Sequence, residues 1–387
     1  MAGTYLKTHP WLKFELDLRH FDHEVWLHLG EAQSKCEHLS GVPLKPGTAE
    51  RLHRIYLAKG VLATTAIEGN TLSVEQVEAY LDQKLKLPPS KEYLKREIEN
   101  IVTACNLVIK RLVEGNPLPL TTAVISELNG LVLDRLDLAP DVVAGELRRH
   151  DVGVARYRGA PWRDCPFLMD RLSGWLVELE DSLAQFGTAG AILRAIIAHL
   201  YIAWIHPFGD GNGRTARLVE FAILVKAGVP LPAAHLLSDH YNETRTQYYR
   251  ELDRASRSHG DIVPFVKYAV QGFVDGLRAQ IEEVKKQQLD VAWTNYIHER
   301  LHQPGEVAVR RRKLVLALTE RSEPVRTRDA MALTPELVRL YAGKTRKTLS
   351  RDVNALGRLK LVVQTGPFIR ANTGIMLAFL PTRAPAA

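Results

Sequence analysis

The residues best able to do chemistry lie in one stretch, HPFGDGNGRTAR at 206–217. His206 is the one group there whose ordinary pKa, about 6.5, lets it take up a proton near neutrality. Asp210 supplies a hard oxygen ligand suited to Mg2+ on nucleotide phosphates. A helix broken at His206-Pro207 and restarted near Gly213 puts Gly211, Asn212 and Gly213 at a helix N-terminus. Unpaired N–H groups and the positive dipole end favour an anion there, and glycine lets the backbone approach it. Arg214 and Arg217 follow three apart, with planar donor forks that suit phosphate oxygens. Phe208 carries no acid-base chemistry and is expected to anchor the loop. A base, a metal ligand, an anion cradle and two arginines together make a phosphoryl- or nucleotidyl-transfer site.

The elements that must position this loop read as helices. From Phe21 to about Ile297 the apolar spacing is helical, with helices expected at 52–70, 91–114, 121–134, 166–184, 189–204, 214–227 and 242–257, and one or two over 261–300. Gly69 and Asn70 stop the first of these, and Ser73 with Gln76 stands at capping-box spacing for the next. Between Gly145 and Arg158 the pattern shortens toward alternation, which predicts an extended hairpin. After QPGE (303–306) the texture changes: helices are expected in RRKLVLALTER, TRDAMAL, TPELVRLYAG and KTRKTLSRDVNALGRLK, then two strands around a Gly-Pro loop in LVVQTGPFIRANTGIMLAFL.

Composition sets the frame. With 46% hydrophobic and 25% charged residues the 387-residue chain has the make-up of an ordinary globular protein with room for two or three domains. The N-terminal stretch MAGTYLKTHPWLKFELDLRH offers no secretory signal, and the richest apolar run, Ala195 to Ile205, is about half the length needed to span a bilayer. A cytoplasmic protein without membrane contact is expected. Cys36, Cys105 and Cys165 are far apart and read as buried apolar residues. The formal charge of +7 is uneven: residues 301–387 carry 16 Lys or Arg against 6 Asp or Glu, a net of +10, leaving −3 for the first 300.

His206, Phe208, Asp210, Gly211-Asn212-Gly213, Arg214 and Arg217 resemble, position for position, the HxFx(D/E)GNGRxxR signature of Fic-domain proteins. The resemblance extends less sharply over about 116–275. It implies a mainly all-α fold with a β-hairpin flap and protein adenylyltransfer, AMPylation, in which a protein hydroxyl attacks the α-phosphate of ATP. His206 would be the general base and Asp210 the Mg2+ ligand. The N–H groups of 211–213 would hold the phosphates, Arg214 the β-phosphate region and Arg217 the γ-phosphate. The segment Gly145, Glu146, Leu147, Arg148, Arg149, His150, Asp151 and Val152 fits the family's target-docking flap, which takes an extended target segment by strand addition. Asn242, Tyr248 and Tyr249 resemble the segment beside the base. A phosphorylating relative has lysine at the position of Gly213, which disfavours that activity; uridylyl or phosphocholine transfer stays open.

TTAIEGN (64–70) resembles the family's inhibitory motif (S/T)xxxE(G/N). Glu68 would then pair with Arg217 and deny it to the γ-phosphate, with Thr64 holding the helix by a hydrogen bond. The same glutamate would serve a reverse, deAMPylating reaction. Of the other candidates, His199, two turns before His206, reads as a satisfied core histidine. AGKT (342–345) lacks the first P-loop glycine, Val338 standing there, and RRHD (148–151) lacks the companions of a kinase loop.

The basic C-terminal region resembles a winged helix-turn-helix, whose recognition helix would bring Lys344, Arg346, Lys347, Arg351 and Arg358 to nucleic acid or to a protein partner. The expected organisation is an N-terminal helical region over 1–115 with the inhibitory helix at about 52–70, a catalytic core over 116–275, a helical linker over 276–305 and the winged helix over 306–387. ATP and Mg2+ are the expected ligands. The expected partner is a protein with a Ser, Thr or Tyr hydroxyl, self-modification included, and a homodimer is left open. The competing class is a nucleotide-sensing DNA-binding regulator.

Overall fold

The apolar run of the sequence lies in the helix Gly187–Ile205, in which every residue from Ile192 to Ile202 is buried. A helix apolar on all sides needs other helices around it, and the computed structural model, which describes residues 3–44, 46–115, 118–154 and 157–377, supplies them. In chain order its elements begin with α1 (Tyr5–Thr8), α2 (His23–Gly41), α3 (Pro46–Ala66), α4 (Val74–Leu81), α5 (Glu92–Val113), α6 (Thr122–Val132) and a hairpin of β1 (Gly153–Val154) and β2 (Tyr157–Arg158). Then come α7 (Cys165–Leu183), α8 (Gly187–Ile205), α9 (Asn212–Lys226), α10 (Leu236–Glu243), α11 (Arg245–Arg257) and α12 (Val263–Arg300). The last elements are α13 (Glu306–Thr319), β3 (Val325–Arg326), α14 (Pro335–Leu340), α15 (Arg346–Arg358), β4 (Val362–Thr365) and β5 (Phe368–Ala371). The fold is mainly helical, as expected.

The chain divides into compact units at Met1–Ile281 and Glu282–Ala387. In the first, α8 packs against α2, α7 and α9, and α3 packs against α4, α5, α9 and α10. One apolar core runs from Leu12 to Leu277, so the N-terminal helices and the signature-bearing helices share an interior. The three cysteines are buried free thiols.

Several boundaries differ from expectation. The helix expected at 52–70 starts at Pro46 and ends at Ala66. Thr65 Oγ1 donates back to the carbonyls of Val61 and Leu62, Asn70 N returns to Thr65 O, and Gly69 takes φ +107°, which closes the helix before Glu68. The capping box at Ser73 and Gln76 is present. The helix expected over 242–257 is two, broken at Thr244, whose hydroxyl bonds to His240 O and Tyr268 Oη; the run over 261–300 is the single α12. The extended hairpin over 145–158 shrinks to β1 and β2, paired Gly153 to Arg158 and Val154 to Tyr157, and residues 155–156 lie outside the described residues. Before it, Leu147 makes only an isolated bridge to Phe208.

In the second unit, α13, α14 and α15 surround an antiparallel sheet of order β3-β5-β4. β4 and β5 are the two strands expected around the Gly-Pro loop, residues 378–380 of that stretch lying outside the described residues; β3 was not anticipated. Leu314, Leu318, Leu349, Val353, Leu356 and Ile369 form the core. Asp352 is turned into it, accepting from Arg310 Nε at 2.7 Å, Arg311 Nε at 2.8 Å and Tyr341 Oη at 3.1 Å. Removing one member of a buried ion pair leaves uncompensated charge. Asp352→Ala is therefore expected to cost about 3 kcal/mol and to raise hydrogen exchange over α13 and α15; unchanged protection there would contradict this account.

Candidate active site

The site forms where α8 stops and α9 starts. Residue 206 ends α8 in the left-handed region, φ +53° and ψ 57°, which few non-glycine residues adopt. Arg148 holds that turn: its side chain is fully enclosed, Nε donates to His206 O at 2.7 Å, Nη1 to His150 O at 2.7 Å, and Nη2 to Ala160 O. Arg148 N also donates to Pro207 O at 3.0 Å. The flap segment is thus part of the scaffold here. Arg148, expected at a docking surface, points inward, and Gly145 N donates to Asn129 Oδ1; Glu146, Arg149 and Asp151 remain exposed.

The loop between the helices is rigid. Phe208 is buried, and Asn212 closes the turn around it, Oδ1 accepting from Phe208 N and Nδ2 donating to Phe208 O, both at 2.9 Å. Asn129 on α6 donates to Asp210 O at 3.0 Å and to Thr215 Oγ1 at 3.1 Å. Gly211 has φ +74°, a conformation glycine adopts freely. The first turn of α9 leaves the N–H groups of 212–214 without partners inside the helix. A Cβ at Gly213 would run into the Glu68 carboxylate, so that carboxylate lies over the anion cradle.

Both arginines are buried and occupied. Arg217 Nε donates to Thr64 Oγ1 at 2.8 Å, and Nη2 to Thr64 O at 3.0 Å and to Glu68 Oε1 at 2.6 Å. Thr64 thus ties its helix to α9 by accepting from Arg217, while its neighbour Thr65 bonds back within α3. Arg214 reaches Glu97 Oε1 at 3.4 Å and Asp210 Oδ1 at 3.3 Å. Burial alone would raise the Glu68 pKa, but the charge and hydrogen bond of Arg217, with Arg214 and His206 nearby, hold it below the ordinary carboxylate value.

A cavity of about 540 Å³ adjoins the cradle, lined by Glu68, Tyr157, Trp204, His206, Asn212, Gly213, Tyr248, Tyr249, Leu252 and Asp253 among others. The imidazole, the cradle and an apolar and aromatic wall thus face one space large enough for a nucleotide. Burial, the largest influence, pushes the His206 pKa down to about 4, with a bond to Ala203 O at 3.4 Å opposing it and the charge of Arg148 adding to it. A carbonyl can only accept, so Nδ1 carries the proton in that bond and Nε2 keeps its lone pair.

Tyr248 and Tyr249 line the cavity, but Asn242 does not. The break at Thr244 puts Asn242 on α10, beside a different cavity with Tyr56, Lys59 and Gln280. His199 is buried, 2.9 Å from Tyr248 Oη and 3.1 Å from the Glu220 carboxylate, a partnered core histidine. Glu97, Asn129, Trp204, Leu252 and Asp253 escaped the sequence reading, and Arg148 was expected in the flap and not as a support of the turn, because each acts through a contact distant in the chain. Among the described residues no group of three His, Cys, Asp or Glu could hold a metal alone. Asp210, its side chain half exposed, fits a cation that takes its remaining ligands from phosphates.

Residues 119–224 match the Fic/DOC family model, and the chain carries this Fic domain. The chain is similar to protein adenylyltransferase Fic of Nematostella vectensis, 28% identical over 63% of this chain and 53% of that protein. It is also similar to protein adenylyltransferase fic-1 of Caenorhabditis elegans, 33% identical over 54% of this chain and 38% of that one. Among solved structures, a Fic family protein from Desulfovibrio desulfuricans G20 aligns over 91% of this chain and 96% of its own, with TM-score 0.57 and 22% identity. Fic-1 (residues 134–508) of C. elegans aligns over 68% of this chain and 73% of its own, with TM-score 0.55 and 27% identity. The chain spans about half or less of the curated relatives it matches.

With its pKa near 4, His206 should stay neutral wherever the protein is folded near physiological pH. Its imidazole resonances are expected to hold the neutral-form shift from pH 8 down to 5, and titration above pH 6 would refute the assignment. The unfolded state takes this proton at higher pH than the folded state, so the group's contribution to stability falls as pH drops from 6.5 toward 4.

Proposed function

We propose that this Fic-domain chain is a protein adenylyltransferase whose described conformation is the inhibited one. The observation that carries the reading is the Glu68 carboxylate on Arg217, directly over the cradle at Gly213 and in the cavity that His206 faces. ATP and a protein hydroxyl are the substrates, in line with the names of the curated relatives. His206 Nε2 accepts the proton of a target Ser, Thr or Tyr. The hydroxyl oxygen forms a bond to the α-phosphorus as the bond to the bridging oxygen breaks, and pyrophosphate leaves. The N–H groups at 212–214 and the two arginines hold the phosphates in line for that displacement. Asp210 would hold Mg2+, which supplies charge neutralisation on the phosphates.

Glu68 opposes this by occupying Arg217 and placing negative charge where the γ-phosphate would lie. A displaced α-phosphate is badly aligned for attack, and misplacement of about 1 Å costs on the order of a hundredfold. Three buried free thiols accord with a cytoplasmic setting.

A second reading, a DNA-binding regulator, has its own observation in α15. Arg346, Lys347, Ser350, Arg351, Asn354 and Arg358 are exposed, and the helix's one acid, Asp352, is buried away from them. Four cations interleaved with Ser350 and Asn354 suit phosphates flanking base edges. Such contact would make the chain a DNA-binding regulator with its Fic core as a nucleotide sensor. Binding to a labelled duplex should then weaken steeply with salt, and Lys347→Glu with Arg351→Glu should abolish it; no retention at low salt would end this reading.

Transfer is tested by intact-mass measurement with each nucleoside triphosphate. Glu68→Gly is expected to gain the mass of AMP from ATP at least tenfold faster than wild type, while His206→Ala gains none in either background. A Glu68→Gly protein that takes up no nucleotide, or takes up UMP in preference, would overturn the assignment.

A further inference from the structure

We infer that Glu97 is a second carboxylate brake on the phosphate subsite, holding Arg214 as Glu68 holds Arg217, and that Asn70 ties both grips to one turn. This rests on the reading of the cavity as a nucleotide site.

The contacts are specific. Glu97 projects from α5 with its side chain 17% exposed, and its Oε1 stands 3.4 Å from Arg214 Nη1. Its other oxygen accepts from Asn70 Nδ2 at 2.8 Å. Asn70 is fixed on every side: Nδ2 also donates to Leu94 O at 2.9 Å, Oδ1 accepts from Leu72 N at 3.0 Å, and its N–H donates to Thr65 O at 3.1 Å. Asn70 stands two residues after Glu68, so the turn that places one carboxylate on Arg217 also holds the other beside Arg214.

Arg214 is loosely held. Its contacts, at 3.3 and 3.4 Å, are longer than the 2.6 Å bond at Arg217, and its buried Nε has no partner. A guanidinium with donors to spare suits an incoming phosphate. Against the two arginines stand three carboxylates, Glu68, Glu97 and Asp210, so the subsite is net negative before any phosphate arrives. Burial raises the Glu97 pKa and the charges of Asp210 and Glu68 raise it further, against Asn70 and Arg214, as crowding of like charge requires. Glu97 therefore competes with the β-phosphate for Arg214. A purely structural Glu97 would need only its shape and its bond to Asn70, both of which glutamine keeps.

The test is equilibrium binding, which requires no transfer, so it can fail while adenylyltransfer stands and can succeed if transfer is absent. Affinities for Mg2+-ATP and for AMP are measured by calorimetry on the full chain as wild type, Glu97→Gln, Glu97→Asp, Glu68→Gly and Glu97→Gln with Glu68→Gly. Glu97→Gln is expected to tighten ATP about five- to tenfold and leave AMP unchanged, since AMP lacks the phosphates in dispute. Glu97→Asp, which keeps the charge, should stay near wild type. Because one turn serves both grips, the double variant should gain less than the product of the single gains. Weaker ATP binding in Glu97→Gln, an equal change for AMP, or strictly multiplicative gains would each overturn the proposal.

Discussion

The chain must leave α8, present an imidazole and begin α9 within six residues, and it does so by forcing residue 206 into the left-handed region. For a residue with a Cβ this conformation is unfavourable by roughly 1–3 kcal/mol and persists only where the surroundings fix it. Arg148 is the principal fixing group: from a wholly enclosed position its side chain donates to His206 O and to Ala160 O, and its N–H donates to Pro207 O. Gly159 packs so closely on the His206 Cβ that any side chain there would clash. Base geometry, loop closure by Asn212 and the direction of the first N–H groups of α9 all follow from that turn.

The second dependence is electrostatic. Two arginines buried on one helix must be neutralised in every state the protein visits, because an unpaired buried charge is costly. Without nucleotide, carboxylates neutralise them; with nucleotide, phosphates would. On the proposed reading, inhibition would be the way the resting protein tolerates its phosphate subsite; Thr64, which bonds Arg217 through both hydroxyl and carbonyl, orients the guanidinium.

The sequence made local chemistry legible and distant chemistry opaque. The residues of 206–217 could be read because a base, glycines and arginines were adjacent, whereas Glu68 was legible only through the resemblance of TTAIEGN to the family's inhibitory motif. The capping box, α9 and the basic C-terminal helix were likewise visible in side-chain spacing. The break at Thr244 was not, since it depends on a hydroxyl bonding to Tyr268 from another helix, and it removed Asn242 from the cavity. Arg148 was expected in the docking flap; only the fold shows the carbonyls converging on it. Glu97 sits in α5 beside the buried Ile98 with nothing in its neighbours to mark it.

The missing side chain at Gly213 has a further consequence. The space above its Cα is taken by the Glu68 carboxylate in this conformation, and a bound phosphate would claim the same few cubic ångströms. On the proposed reading the two compete for it directly, so phosphates that arrive while the carboxylate stays would settle out of line, with no relay or lever needed between them. Regulation of this kind, if Glu68 acts as proposed, would follow from geometry: a position 213 without a side chain leaves room for either the carboxylate or a phosphate.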